Sequence, residues 1–197
     1  LSVAPQDWTA LYDRFAEITE DINISRETAL RELLPLVQVA EMMSEKYSVI
    51  VTNPPYRGIG DVEVKLQDFV KAKYPDSYSD LSTVFMEKCI KLTTTNGYYA
   101  MINIPVWMSL ASYSKLRNKM LCDEYIVNML HLGRGMFGSD YGTTAFVVSN
   151  SSLNRYKGFY KKFFERQGAV ETEEAKQKKF FNGTKDYATV QELYLSL

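Results

Sequence analysis

The spacing of apolar residues along the chain changes near residue 47. Before that point, apolar residues recur three or four positions apart, which is the spacing of amphipathic helices. This pattern predicts two helices, one ending near Glu20 and one running from Ser25 to about Lys46. Pro35 falls inside the second helix and is a candidate kink, because proline removes a helical hydrogen bond. Residues 1–46 are therefore expected to form a helical segment.

After residue 47, short β-branched and aromatic runs alternate with helical patterns. Four strands are predicted, namely Tyr47–Thr52, Tyr98–Ile104, Tyr125–Leu132 and Thr143–Ser149. Helices are predicted over Asp80–Leu92 and Ser112–Leu121, with a turn at Asn96-Gly97. Strands that alternate with helices predict an α/β layered sheet, parallel over its first three strands.

The remaining residues are predicted as an extension of this α/β region. Lys157–Phe164 is typical of a strand, and Glu171–Phe181 of a helix that ends at Asn182-Gly183. The expected organisation is a helical segment over 1–46, an α/β region over 47–150 and an extension over 151–197.

Composition narrows the class of protein. The chain has 197 residues, 46% hydrophobic and 24% charged, close to the globular average, and its formal net charge is −1. No overall basic field favours nucleic acid, so any such contact must come from local patches. Two cysteines do not make a disulfide scaffold, which fits a reducing, cytoplasmic compartment.

The apolar runs bear on membrane association, and the first residue bears on whether the chain is part of a larger protein. No apolar run approaches the roughly 20 residues that cross a bilayer, and no signal peptide is predicted, so we expect no membrane partner. The chain begins with Leu1, which suggests a piece of a larger protein or a processed chain.

The tetrapeptide Asn53-Pro54-Pro55-Tyr56 carries the candidate chemistry. It follows a buried strand, where open α/β sheets place their ligands. Two prolines stiffen the backbone and leave their carbonyls free to accept hydrogen bonds. An Asn oxygen beside such a carbonyl suits an exocyclic amine, and holding both N–H bonds tilts that amine toward sp³ and frees its lone pair. A nearby Tyr offers a flat face to the ring that bears the amine.

These residues resemble motif IV of the amino-methyltransferases that use S-adenosylmethionine, in the N6-adenine DNA form. The chain is similar to PglX-type adenine methyltransferases of BREX phage defence and to type IIG restriction-modification enzymes over roughly residues 26–165. The segments that follow the family's order are Tyr47–Tyr56, Ser79–Leu92, Asn96–Pro105, Tyr113–Leu121, His131–Gly133 and Gly142–Asn150.

The resemblance implies a fold, a reaction and site residues. The fold would be part of a Rossmann-like class I methyltransferase sheet with an antiparallel last strand. Residues 47–150 would be the C-terminal half of the catalytic domain, and residues 151–197 would lead toward a target-recognition region. Asn53 and the Pro54 carbonyl would hold N6 of a flipped adenine in double-stranded DNA, with Pro55 in the same catalytic loop. Tyr56 would stack on the base, and Phe137 would contact it from the other side. Methyl transfer from S-adenosylmethionine would be direct, without a metal.

The chain also departs from the family. A Gly-rich cofactor loop and the acidic residue that would hold the ribose are missing, and Gly58-Ile59-Gly60 and Gly133-Arg134-Gly135 are predicted to be turns. Asn53 and Asp80 remain as candidate cofactor contacts, although Asp80 also suits a helix N-cap. We expect that this chain alone cannot methylate DNA, and that an exposed sheet edge promotes self-association.

Basic residues supply candidate DNA contacts. Arg57, Lys65, Lys71 and Lys73 follow the tetrapeptide with aromatics between them, as in a phosphate-contacting loop, although a solvated amphipathic helix over 62–73 has the same pattern. Arg134 is a further candidate. Lys161-Lys162 is interpreted as surface charge that can also contact the DNA backbone. His131 is interpreted as a core or edge histidine.

Other functions share parts of this pattern. The same tetrapeptide serves RNA and protein-glutamine methyltransferases, because all three acceptors present a planar amine. Residues 53–56 also fit the N-P-x-Y peptide signal, which requires an exposed flexible segment. A non-catalytic chain that assembles with a separate cofactor-binding chain is a further alternative.

Overall fold

Two units of structure divide the chain, Leu1–Lys46 and Tyr47–Leu197. The structure is a computed structural model, and it describes residues 7–19, 24–136, 142–153, 156–166, 168–182 and 188–190. Among these residues, no helix combines the length and the apolar composition that crossing a membrane requires.

The first unit contains two helices, α1 (Trp8–Thr19) and α2 (Ile24–Ser44). Both were predicted, with ends within two residues of those observed. The hydroxyl of Tyr12 on α1 donates a hydrogen bond to Glu41 on α2, so the two helices are in contact. Pro35 lies inside α2, and the helix continues on both sides of it.

The second unit is built on a six-stranded sheet in the order β1-β2-β4-β3-β5-β6. Its strands are β1 (Tyr47–Thr52), β2 (Thr93–Asn103), β3 (Tyr125–Gly133), β4 (Thr143–Ser149), β5 (Lys157–Lys162) and β6 (Ala188–Val190). Its helices are α3 (Val64–Lys73), α4 (Leu81–Leu92), α5 (Ser114–Cys122) and α6 (Glu173–Asn182).

The strand directions place four carboxyl ends at one edge. Strands β1, β2, β3 and β5 run the same way, whereas β4 and β6 run in the opposite direction. The predicted common direction of the first three strands is confirmed, and so is an antiparallel β4. These three strands are not all neighbours, because β4 lies between β2 and β3 and pairs with both.

The predicted turn at Asn96-Gly97 was also wrong. Strand β2 begins at Thr93 and passes through these two residues, and the pairing with β1 shifts register between Tyr47 and Val49. Asn96 has φ 63°, and a Cβ on Gly97 would lie 2.8 Å from the Ser48 carbonyl. Strand β1 pairs with β2 both before and after Asn96-Gly97. These two residues therefore form an irregular stretch inside β2 and not a turn between two elements.

Helices α4 and α5 cover one face of the sheet. The buried side chains of this face include Tyr99, Met101, Phe146 and Val148, which pack in one cluster with helix residues such as Met86. Full burial of each such side chain stabilises the fold by about 1.5–3 kcal/mol. The opposite face carries a shallow, mostly apolar cavity of about 390 Å³ that extends from Val51 and Asn53 across β2, β4 and β3.

Candidate functional site

The tetrapeptide leaves the sheet at the edge where β1, β2, β3 and β5 end. Asn53 and Pro55 are exposed, Pro54 is buried, and Tyr56 is half-buried. Proline fixes φ near −65° and has no N–H group, so the loop is stiff and needs no backbone donor partner at two successive positions. The structure therefore presents the Asn53 side chain to solvent from a rigid turn anchored by Pro54.

The Tyr56 hydroxyl fixes the orientation of Asn53. Its oxygen lies 2.8 Å from Asn53 Oδ1 and 3.1 Å from the carbonyl of Ile102 near the end of β2, so its single proton is shared between these two acceptors. Burial raises the pKa of Tyr56, which keeps the hydroxyl protonated as a donor. An amide oxygen has two lone pairs, so Asn53 can still accept a hydrogen bond from a ligand.

The segment after the tetrapeptide is pinned to the start of α4. The Ile59 N–H donates to the Ser79 carbonyl at 3.0 Å, and the Leu81 N–H donates to the Arg57 carbonyl at 2.9 Å. Gly58 and Asp80 form an antiparallel bridge between these bonds. This short ladder sets the position of the tetrapeptide relative to the first turn of α4.

Asp80 caps α4. Its carboxylate accepts hydrogen bonds from the Ser82 N–H at 2.8 Å and from the Ser82 hydroxyl at 2.6 Å, and its backbone is extended. This geometry is that of an N-cap, which satisfies an otherwise unpaired donor in the first helical turn. The capping interpretation is confirmed, and a contact between Asp80 and a cofactor stays a prediction.

Asn103 is a positioning residue that the sequence analysis did not identify. It is fully buried at the end of β2, where its side chain donates to the Ser82 carbonyl at 3.1 Å and accepts from the Ile104 N–H at 2.7 Å. The Thr144 hydroxyl donates to its carbonyl at 3.1 Å, which ties in β4. The available signal was an amide residue between two isoleucines at a strand end.

The four predicted basic contacts after the tetrapeptide share one region. Residues 64–73 form helix α3, which carries exposed lysines, and Arg57 precedes it in a loop. The Arg57 guanidinium donates to the carbonyl of Asp61 within that loop. This arrangement agrees with the expected amphipathic helix, and the DNA contacts of Arg57, Lys65, Lys71 and Lys73 stay predictions.

Arg134, Lys161 and Lys162 lie at the far side of the same edge, after or at the ends of β3 and β5. Arg134 follows β3, and its guanidinium donates to the Gly168 carbonyl at 3.2 Å. The interpretation of Lys161 as surface charge was wrong, because Lys161 is buried and its ammonium donates to the Phe180 carbonyl at 3.3 Å, whereas Lys162 is exposed. Phe137 lies outside the described residues.

The chain supplies acceptors and an apolar surface for an amine-bearing ring and for part of a cofactor. Asn53 stands at the rim of the cavity whose floor includes Val51, Ala100 and Ile102. Asp80 is the acidic residue at this site that the sequence analysis proposed for the cofactor, and its carboxylate is engaged by Ser82. The described residues thus suit the amine of the ring and the apolar parts of a cofactor. They suit the ribose hydroxyls of a cofactor less well.

Comparison with protein families identifies a match over most of the chain. The model of the family described as Eco57I restriction-modification methylase matches residues 6–137. The chain is 36% identical over 161 residues to the adenine-specific methyltransferase BrxX of Escherichia coli O9:H4 (strain HS). It is 40% identical over 159 residues to the adenine-specific methyltransferase PglX of Lacticaseibacillus casei (strain Zhang). The alignments cover 80% and 79% of this chain but only 13% of each relative.

A solved structure supports the fold. The chain matches a cryo-EM structure of a DrdV–DNA complex with a TM-score of 0.56 at 15% identity, over 82% of this chain and 19% of that chain. At this identity the match shows the fold alone. Together with the family match, it confirms the predicted α/β fold class, a mixed sheet with helices. The resemblance to PglX-type methyltransferases is also confirmed.

Proposed function

The chain belongs to the Eco57I restriction-modification methylase family, and on that premise we propose that it supplies the base-holding part of an adenine-N6 DNA methyltransferase. The methyl donor would be S-adenosylmethionine, whose sulfonium carries the methyl group to be transferred. The partner would be double-stranded DNA in the cytoplasm. Because the chain spans about 13% of the length of its curated relatives, activity is proposed for a longer protein that contains it.

The observation that carries this proposal is the exposed Asn53 amide on a rigid turn. Asn53 Oδ1 and the Pro54 carbonyl would accept the two N–H bonds of the adenine amine. The amine lone pair would then form the new N–C bond while the C–S bond breaks, and an amine proton would leave to solvent. The Tyr56 hydroxyl, 2.8 Å from Asn53 Oδ1, would keep the acceptor aimed during this step.

Other residues would hold and surround the base. Pro55 would keep the loop stiff, and Tyr56 and Phe137 would contact the two sides of the flipped ring. Arg57, Lys65, Lys71, Lys73 and Arg134 would contact backbone phosphates, which position a duplex without reading its sequence. Asp80 would act on the cofactor through the first turn of α4, which it caps.

The test is methyl transfer from labelled S-adenosylmethionine to duplex DNA by the longest natural chain that contains these residues. Asn53→Ala should lower kcat at least a hundredfold, because it removes an acceptor of the reacting amine. Asn118→Ala is the matched control, since this exposed asparagine lies on α5 and should leave the rate unchanged. The isolated 197-residue chain should transfer no methyl group to DNA.

The methyl acceptor that the protein prefers distinguishes a DNA methyltransferase from an RNA or protein-glutamine methyltransferase. Duplex DNA, the same sequence as RNA, and a glutamine-containing protein substrate are offered at equal concentration. Methylation of duplex DNA at N6 of adenine supports the proposal. A strict preference for RNA or for a protein glutamine contradicts it, and transfer by the isolated chain contradicts the expectation that this part alone is inactive.

A further inference from the structure

A second cavity, of about 410 Å³, opens where β3 and β5 end. Three basic side chains line it, those of His131, Arg134 and Lys162. None of its described lining residues carries a carboxylate. Glu165, which follows the lining residue Phe164, is exposed, and its carboxylate lies 3.7 Å from the ammonium of Lys179. The cavity therefore brings three basic side chains together.

One aromatic ring holds two of these basic groups close together. The His131 ring meets the Phe164 ring edge-on at 4.6 Å between centroids, and the Lys162 ammonium lies 4.9 Å from the centre of the same Phe164 ring. The Phe164 ring can take this position because residue 133 is a glycine, since a Cβ on Gly133 would lie 2.7 Å from the ring. Two groups that can both be cationic are thus fixed on one ring, an arrangement that an anion between them would stabilise.

The cavity contains hydrogen-bond donors and acceptors, and two of the acceptors, His131 Nδ1 and the Gly168 carbonyl, already have a donor. The Gly133 N–H points at His131 Nδ1 at 3.4 Å, so a neutral imidazole carries its proton on Nε2. The Arg134 guanidinium is tied to the cavity wall by its bond to the Gly168 carbonyl. Burial, and to a smaller extent the Lys162 ammonium, lower the pKa of His131.

The cavity shares an edge of the sheet with Asn53. Strands β1 and β3 are three strand spacings apart, so Asn53 and His131 are separated by about 14 Å across that edge. A duplex strand carries one phosphate per about 3.4 Å of helix axis, so this separation corresponds to a few nucleotides. A strand whose adenine is held at Asn53 can therefore place a nearby phosphate at this cavity.

We propose that the cavity of His131, Arg134 and Lys162 is an anion site that takes a backbone phosphate of the DNA strand bound at Asn53. This inference rests on the proposed function. The phosphate fixes the register of the strand and adds affinity, but it takes no part in methyl transfer. It adds His131 to the predicted DNA contacts, and it gives Lys162 a defined site in place of a general surface contact.

The single histidine of the chain provides a direct probe. Its imidazole proton resonance is followed by NMR across pH in the 197-residue chain, with and without inorganic phosphate. Phosphate should raise the pKa of His131 by about half a pH unit or more, because a nearby anion favours the imidazolium. Lys162→Ala should abolish this rise. Lys157→Ala, at the opposite end of β5, removes the same charge and should leave the rise intact. An unchanged pKa with phosphate overturns the proposal, as does an equal rise in Lys162→Ala.

A second arm distinguishes DNA from free phosphate and tests the site apart from the reaction. In the longer methyltransferase, Lys162→Ala should weaken duplex binding about three- to tenfold and lower the slope of log K against log salt by about one. Lys157→Ala should change neither. Methyl transfer at saturating DNA should persist in Lys162→Ala. If Lys162→Ala still methylates DNA and its salt slope is unchanged, the phosphate site is refuted and the proposed function is not. If the natural protein transfers no methyl group to DNA, the proposed function itself is refuted.

Discussion

At the scale of single residues, Glu124 holds a carboxyl group inside the protein. It is 2% exposed just before β3, and the Tyr99 hydroxyl donates to its Oε2 at 2.8 Å. Burial raises the pKa of Glu124 to about 7, and burial together with Glu124 raises the pKa of Tyr99 well above its ordinary value. The folded protein therefore keeps a proton on Glu124 that the unfolded chain releases near pH 4.5.

This carboxyl predicts a pH dependence of folding. Between about pH 4.5 and 7 the folded state binds more protons at Glu124 than the unfolded state, so the free energy of unfolding falls as pH rises. Glu124→Gln keeps an acceptor for Tyr99 and removes the titration. At pH 7.5 it should stabilise the protein relative to the natural chain, on the order of 1–3 kcal/mol.

Urea unfolding at pH 5 and pH 7.5 measures this effect. Glu165→Gln, at a side chain that is 84% exposed, serves as the control and should show the natural pH dependence. His131 contributes the opposite slope below about pH 6.5, because its lowered pKa makes the unfolded state the stronger proton binder there. The difference between the two glutamine variants isolates Glu124, and identical pH profiles for both would refute the assignment.

The residues of the candidate site differ in how far sequence alone reveals them. Asn53 and Tyr56 belong to a rigid local motif, so four successive letters predict their proximity. Asn103 binds a carbonyl 21 residues away, and Glu124 binds a hydroxyl 25 residues away. Such partners are set by how strands and helices stack, and neither periodicity nor turn chemistry encodes that stacking. Buried polar residues at strand ends therefore escaped prediction.

At the scale of elements, helices and strands followed their hydrophobic patterns, and errors concentrated where pairing overrode local preference. Asn96-Gly97 has strong turn chemistry, yet β1 and β4 both pair with β2 next to it. The Asn96 N–H donates to the Asn150 carbonyl at 3.0 Å, and the Asn150 N–H donates to the Gly97 carbonyl at 2.9 Å. The neighbouring strand thus satisfies the backbone groups that an isolated turn would leave to solvent.

The close pairing of β5 with β3 predicts that a side chain at Gly158 would destabilise the sheet. A Cβ at position 158 on β5 would lie 2.3 Å from the Ile126 carbonyl on β3. Gly158→Ala must push these parallel strands apart and should lower the free energy of unfolding by about 1–3 kcal/mol. Gly60→Ala is the matched control, because its Cβ would meet no atom within 4 Å, and it should change stability by less than about 0.5 kcal/mol.

Denaturant midpoints of the two alanine variants, measured side by side, check this prediction. The natural chain gives the reference slope, so that a change in midpoint is read as a change in stability. Equal midpoints for Gly158→Ala and the natural chain would show that β5 does not approach β3 as closely as described.

At the scale of the whole molecule, β1 is an edge strand. Among the described residues it pairs with β2 alone, and Val49 and Val51 on it are 62% and 75% exposed. An exposed strand edge beside an apolar face favours pairing with a second copy. The sequence analysis led to the same expectation of self-association, and it stays a prediction.

Self-association is measurable by light scattering or sedimentation across protein concentration. The apparent mass of the 197-residue chain should rise with concentration. Val51→Lys should weaken this association about tenfold, since a charge blocks both the apolar contact and the strand edge. Leu153→Lys, at an exposed apolar residue outside the sheet, should have little effect. A constant monomer mass for the natural chain would contradict the prediction.

The insertion of β4 between β2 and β3 has a consequence for synthesis on the ribosome. Strands β1, β2 and β3 emerge first, and β3 has no neighbour in the sheet until β4 arrives, because β5 comes later still. A chain that has reached only Gly133 contains β1 and β2, which pair with each other in the sheet, but it lacks the strand that joins β3 to them. The centre of the sheet therefore cannot be completed before residue 149 has been synthesised, and the short connection between β3 and β4 brings β4 soon after β3.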